Sequence, residues 1–382
     1  MGLSKTKIIA AGCLVEVLGK EILEKFPELD GAIGVHSYGQ IAQFMDNLFE
    51  GKQVFIKNRS SEEYQSIAPR ILTTPVYSAN VKIADGCNNR CNYCMIPAIR
   101  GPYRSKAPEA VKGEVEALVA AGAKEINLIA QDTTAYGLDQ SDWPDLPALI
   151  KEILSIPANF KIRIMYTYPS RITDDLIDLI REENRICKYL DVPIQHCSDE
   201  ILVKMGRLYK QNDLENLFRK LRQKIPGLAL RSTVMVGFPG EKRHHFNDLL
   251  NFITKQKIDN LGTFIYSEQE QTPAADYKQK VPARIASKRY KELMLRQKEI
   301  SRANNKKYLG HRLPVLVEGK ISNNTDWYYG RTEYQAPEVD GFVYFPSSRE
   351  LKVGSWVSAV ITAVGPYNLL ALRANPVDFM PR

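Results

Sequence analysis

Between residues 79 and 266 the chain alternates short β-rich runs with amphipathic helical stretches, the rhythm of parallel βα units. Six runs read as strands: 79–84, 125–130, 161–167, 189–194, 228–236 and 260–266. The stretch between the first two illustrates the helical part. Pro108 suits a first helical turn, Val111, Val115, Leu118 and Val119 recur on one face, and Gly122 ends the helix. Six such units in one direction predict a partial (β/α)6 barrel rather than a full eight-unit one, with reactive loops following the C-terminal ends of the strands.

The loop after the first strand reads Gly86-Cys87-Asn88-Asn89-Arg90-Cys91-Asn92-Tyr93-Cys94. Three thiolates spaced CxxxCxxC suit one iron–sulfur cluster and leave one of its irons open, which implies chemistry rather than electron storage. A zinc site or three buried thiols is the bland alternative, but zinc usually takes a fourth ligand at similar spacing and none follows nearby. Six cysteines in 382 residues, three of them within eight positions, point to metal binding in a reducing compartment rather than to a disulfide framework. There is no run of about 18 apolar residues and no signal-like N-terminus, so a cytoplasmic protein with no membrane partner is expected.

The flanks differ from the barrel. Residues 1–58 read as a small α/β unit with strands at 7–11 and 32–35 and helices at 16–26 and 39–48, two βα units that are too few to close a sheet. A linker with Arg59, Ser60, Ser61 and Pro69 leads into a barrel domain at 72–308. Residues 309–376 read as a small all-β module, with strands at 313–319, 341–345 and 356–364 and turn points at Gly330, Gly341 and Gly354. The formal charge is +8, concentrated between Arg284 and Lys307, where nine basic residues face two acidic ones in a helical stretch. Such a run is either a solvated face or an RNA contact. The tail from 311 to 382 carries seven charges of each sign and is neutral.

With these parts in place the chain resembles the radical S-adenosylmethionine methylthiotransferases over about residues 5–374, including the aromatic Tyr93 before the last cysteine. Within that family it is most similar to the branch that modifies an aspartate of the twelfth protein of the small ribosomal subunit. Three segments carry the likeness: Ile129-Ala130-Gln131-Asp132-Thr133-Thr134-Ala135-Tyr136-Gly137, Leu190-Asp191-Val192-Pro193-Ile194-Gln195-His196, and Gly330-Arg331-Thr332-Glu333-Tyr334-Gln335-Ala336-Pro337-Glu338-Val339-Asp340-Gly341. The tRNA-modifying branch normally lacks the histidine of the second and the ending of the third. The implied architecture is a truncated α/β methylthiotransferase domain, a radical S-adenosylmethionine barrel and a TRAM domain, whose neutral charge fits a protein substrate better than RNA.

The resemblance implies a four-iron four-sulfur cluster on Cys87, Cys91 and Cys94, and S-adenosylmethionine as cofactor. One electron, from a donor such as flavodoxin or ferredoxin, then yields a deoxyadenosyl radical that takes hydrogen from the β-carbon of the target aspartate. Tyr93 is expected over the adenine, Gln131 and Gln195 near the amino and ribose groups, and Arg231 or Ser232 at the carboxylate. Gly237 and the Phe238-Pro239-Gly240 that follow are expected to let backbone approach the adenosine. The sulfur is implied to come from a second four-iron four-sulfur cluster, held by three N-terminal cysteines. Only the third, Cys13 in Gly12-Cys13-Leu14, is matched, so a shortened N-terminus and impaired full activity are expected. Cys187 and Cys197 read as buried inert thiols rather than substitutes. Gln271, where the family usually places glycine, makes the last barrel loop bulkier. Two other readings stay open: a tRNA adenosine methylthiotransferase, and an impaired ribosome-associated remnant that keeps one cluster.

Overall fold

The computed structural model describes residues 6–57, 72–322 and 325–373, and the linker around Arg59 and Pro69 lies outside the described residues. Residues 6–57 form three parallel strands, β1 (Ile9–Ala11), β2 (Gly31–Ile33) and β3 (Val54–Ile56), with α1 (Cys13–Leu18), α2 (Glu21–Lys25) and α3 (Ile41–Phe49) between them. Two expectations need correction here. Gly19, at φ 59°, breaks the single helix expected over 16–26. The Val54-Phe55-Ile56 run adds a third strand, so the unit does build a sheet.

The barrel begins with β4 (Ser78–Lys82). Two short antiparallel strands, β5 (Ala84–Asp85) and β6 (Arg104–Ser105), then bracket the cysteine loop and α4 (Ile96–Arg100). Next come α5 (Pro108–Ala120), β7 (Glu125–Ile129), α6 (Leu146–Leu154), β8 (Lys161–Ile164) and α7 (Asp174–Glu182). The second half runs β9 (Ile186–Asp191), α8 (Asp199–Lys204), α9 (Gln211–Lys224), β10 (Ala229–Val236), α10 (Arg243–Gln256), β11 (Asn260–Ile265) and α11 (Ala283–Asn305). The sheet order is β11-β10-β9-β8-β7-β4 with every pairing parallel. It is an open six-stranded barrel whose edges are β4 and β11.

Covering helices make the outer face of the strands apolar, where Val111, Val115 and Leu118 of α5 share one core with Ile126, Leu128, Ile162 and Leu230, whereas the alternate positions Glu125, Asn127, Arg163 and Arg231 make the inner face polar. The strand expected to run to residue 167 stops at Ile164, because Tyr166 takes φ 58° and turns the chain. The basic stretch is only partly a surface. Helix α11 buries Arg289, Leu293, Gln297 and Ile300, and the Arg289 guanidinium donates to the Glu241 carbonyl at 3.0 Å.

The C-terminal module is a closed five-stranded barrel of β12 (Arg312–Lys320), β13 (Trp327–Arg331), β14 (Val343–Pro346), β15 (Trp356–Val364) and β16 (Leu369–Arg373), in the order β12-β13-β14-β16-β15. Gly330 is no turn. It lies inside β13, where a Cβ would sit 2.1 Å from the Leu316 carbonyl oxygen. Gly341 is also a close-approach glycine, its Cβ position 2.1 Å from the Tyr367 oxygen, whereas Gly354 does turn, at φ 82°.

Three buried charges and the half-buried Glu318 join this module to the larger barrel. Glu125 on β7 accepts from Arg163 Nη2 at 2.7 Å and from Arg331 Nη2 at 2.6 Å, and Arg331 Nε reaches Glu318 Oε1 at 2.7 Å. Burial favours the neutral form of Glu125, but the two guanidinium groups outweigh it and hold its carboxyl down at about 2. A carboxyl so depressed stabilises the fold fully above its unfolded value of 4.5, and the contribution disappears as pH falls through about 2. Glu125→Gln, which strands two buried arginines, should cost about 3–5 kcal/mol in urea unfolding at neutral pH. It should also flatten the loss of stability that the natural chain undergoes below pH 4.5. A variant as stable as the parent would mean that the quartet does not hold the modules together.

Candidate active site at the barrel mouth

The cysteine loop leaves β5 through Gly86, at φ 81°, where a Cβ would meet the Pro102 oxygen at 2.1 Å. Only glycine fits so close a passage in that conformation. The loop is then clamped from below. Asn92 Nδ2 donates to the Lys204 carbonyl at 3.0 Å and to Tyr277 Oη at 2.9 Å, and its backbone N–H donates to the Met205 carbonyl at 3.0 Å. Gly206 allows this contact, because a Cβ there would lie 2.4 Å from the Arg90 oxygen.

Cys87, Cys91 and Cys94 line one cavity of about 400 Å³ that opens at the C-terminal ends of the strands. Tyr93, Gln131, Gln195 and Arg231 line it too, so four of the six residues expected at the cofactor share the cavity with the three thiols. Tyr93 packs edge-on to Phe238, the ring centroids 6.4 Å apart. Gln131 Oε1 is buried without a hydrogen-bond partner. Gln195 takes φ 64°, while its backbone N–H and carbonyl bridge to Thr233 and Met235 at 2.8 Å each.

Ser232 and Gly237 lie outside the cavity lining. Ser232 is fully buried behind the cavity, its hydroxyl donating to the Val192 carbonyl at 2.7 Å. Gly237 faces α11 instead of the cavity, its Cβ position 2.6 Å from Ala286 Cβ. A side chain there would collide with that helix, and φ 76° also favours glycine. Gln271 is exposed and lines no part of the cavity, so it does not crowd it.

Cys187 and Cys197 are buried and outside the cavity, and burial pushes the Cys187 thiol up to about 11. His196, next to Gln195, accepts from the Ser198 N–H at 3.0 Å, and burial pushes its pKa down to about 3, so it holds the loop in neutral form. Cys13 is exposed at the start of α1, and α1 packs on α4, the helix that follows the cysteine loop.

Several groups around the cavity escaped the sequence reading because their partners lie far away in the chain. Arg171 Nη1 reaches Asp132 Oδ2 at 2.5 Å and Asn89 Oδ1 at 3.0 Å, tying the cysteine loop to the loops after β7 and β8. Burial raises Asp191 to about 6 despite Arg231 nearby, and its Oδ1 has no hydrogen bond. Arg207 lies against Cys91 with Nη1 3.6 Å from Sγ. The third family-like segment proves to be a tongue of the C-terminal module. Its Asp340 accepts from Arg231 Nη1 at 2.6 Å and from Tyr189 Oη at 2.7 Å, which sets Val339 into the cavity wall.

The donor set fits a cationic iron–sulfur core. Burial pushes the Cys87 and Cys94 thiols up, so three converging thiolates need a positive partner, and a bound metal supplies one. Gln131 Oε1 has no hydrogen bond and Asp191 Oδ1 has only the Arg231 guanidinium at 3.7 Å, so both can accept from a polar ligand.

Comparison with known proteins agrees with this geometry. The family model of the radical SAM superfamily matches residues 81–253, and that of the TRAM domain matches residues 309–373. A protein from Pelotomaculum thermopropionicum named ribosomal protein uS12 methylthiotransferase RimO is 41% identical over 95% of this chain and 82% of its own length. One of the same name from Desulforamulus reducens is 42% identical over 96% and 83%. The radical S-adenosylmethionine methyltransferase TsrM from Kitasatospora setae, solved with cobalamin and a four-iron four-sulfur cluster, superposes with a TM-score of 0.56. At 16% identity over 72% of this chain and 57% of that one, it speaks for the fold alone.

The tongue gives a direct test. Asp340→Ala removes the acceptor of Arg231, Tyr189 and the Ala336 N–H together, a loss of about 2–3 kcal/mol. Hydrogen exchange of residues 336–342 should quicken while that of β7 and β8 stays unchanged. Unchanged exchange in the tongue would show that Asp340 does not anchor it.

Proposed function

Because the chain belongs to the ribosomal protein uS12 methylthiotransferases of the radical S-adenosylmethionine superfamily, we propose that its barrel mouth adds a methylthio group to the β-carbon of an aspartate in the twelfth small-subunit ribosomal protein. The observation that carries this reading is the meeting of three thiols from one loop with the unpartnered Gln131 Oε1 in one cavity. Cys87, Cys91 and Cys94 hold a four-iron four-sulfur cluster whose fourth iron is left for S-adenosylmethionine. When bound, this pair supplies a carbon radical able to take hydrogen from an unactivated C–H bond.

The chain's own residues bind, orient and shield. Gln131 Oε1 would accept from the ammonium of the cofactor, the Tyr93 ring would lie against its adenine, and Gln195 would face its ribose. Arg231, with Nη1 given to Asp340, serves a carboxylate with what remains of its guanidinium. Met165, Phe264 and Val339 line the same cavity and give its mouth an apolar wall.

Cys13 is one ligand of a second, sulfur-donating cluster, and α1 places it beside the helix that follows the first. It is the one cysteine before Cys87 in this sequence, and a single thiolate does not hold a cluster with the usual multi-cysteine ligation. Methylthio transfer by these 382 residues therefore depends on further ligands. A one-electron donor such as flavodoxin or ferredoxin reduces the first cluster, and the ribosomal substrate puts the reaction in the cytoplasm.

Anaerobic reconstitution tests this reading. About four irons and four sulfides per chain are expected, and Cys87→Ser with Cys91→Ser and Cys94→Ser should bind none. The loaded chain should release deoxyadenosine on chemical reduction, and a loaded chain that releases none is the noncatalytic remnant. Methylthio mass gained by uS12 and not by tRNA supports the ribosomal substrate. The reverse pattern makes the chain a tRNA enzyme.

A further inference from the structure

Arg207, in the turn between α8 and α9, is 9% exposed and forms part of the cavity wall beside the cysteine loop. Its Nη1 points at Cys91 Sγ across 3.6 Å and its Nη2 donates to the Pro193 carbonyl at 3.0 Å. The rings of Tyr168 and Tyr209 flank the guanidinium at 4.8 and 5.5 Å, and Nε has no partner. Other buried arginines of this fold each hold a carboxylate: Arg163 and Arg331 hold Glu125, and Arg289 holds Glu241. Arg207 has no carboxylate within ion-pair distance among the described residues. A buried cation without a counter-charge is costly, so this one is built for an anion that the protein alone does not supply.

The direction of Nη1 identifies that anion. We propose that Arg207 tunes the cluster through Cys91: its N–H on the ligand sulfur stabilises the reduced form and so sets the potential at which the cluster accepts its electron. The inference rests on the reading that Cys87, Cys91 and Cys94 hold a cluster. In the step concerned, a one-electron donor such as dithionite or a reduced flavodoxin is oxidised, and the cluster becomes one unit more negative. A fixed positive charge and a hydrogen bond to sulfur both favour the more negative state, and both raise the potential. The two tyrosine rings keep water from screening the contact, and the Pro193 carbonyl fixes the plane of the fork. Arg207 is thus a positioning residue that acts through Cys91.

The test is a redox titration, followed by electron paramagnetic resonance, of the reconstituted full chain and of Arg207→Gln and Arg207→Lys, without S-adenosylmethionine. Arg207→Gln should keep about four irons per chain and shift the reduction equilibrium about tenfold toward the oxidised form, which is ~59 mV for one electron. Arg207→Lys, which keeps the charge and loses the fork, should shift it less. If the glutamine variant fails to load iron, the lysine variant decides alone: a lowered potential supports the proposal, and the parent's potential overturns it. Loaded variants at the parent's potential with weakened S-adenosylmethionine binding would also overturn it and assign Arg207 to the cofactor's carboxylate. A parent chain that binds no iron would instead refute the cluster reading itself.

Discussion

Glu125 stands where two arginines from distant parts of the chain converge, and the shape of the cavity follows from that meeting. Arg163 comes from the neighbouring strand of the barrel and Arg331 from the C-terminal module. Neither guanidinium could be buried without the carboxylate, and the carboxylate could not stay ionised without them. The quartet thus fixes the small barrel against the large one. The tongue that begins at Arg331 has one place to go, with Asp340 on Arg231 and Val339 in the cavity wall. A module that looks appended supplies part of the reaction chamber.

The chamber is organised by what its polar groups lack. Gln131 Oε1, Asp191 Oδ1 and Arg207 Nε are buried in its wall without a hydrogen-bond partner. Unsatisfied polar atoms are costly inside a protein, and these three share one cavity with the three thiols, as suits a site made for bound groups. By contrast Asp132, Arg171 and Asn89 satisfy one another and act as a brace for the cysteine loop.

Local signals were legible in the sequence and long-range ones were not. The six parallel strands could be read because each is a short β-rich run between helices with their own stops, such as Pro108 and Gly122. The thiols could be read because their chemistry depends on spacing within one loop. Strand β13 was missed because Gly330 reads as punctuation, whereas it is there so that β12 can pass close by. Gly237 has the same ambiguity: glycine announces a close approach without saying what approaches, and here α11 does. Arg207, Asp191 and the Glu125 quartet carry no local signature, since their meaning lies in partners up to 206 residues away.

That separation has a consequence for how the molecule is made. Chains emerge from the ribosome N-terminus first at about 5–20 residues per second, so Arg331 follows Glu125 by about 10–40 s. Once Ile265 has emerged all six barrel strands exist, while the chamber still lacks Val339 in its wall. The enzyme's cavity is therefore closed last, by the same late-made segment that completes its wall, and a nascent barrel cannot present a finished reaction chamber before the chain that carries it is nearly whole.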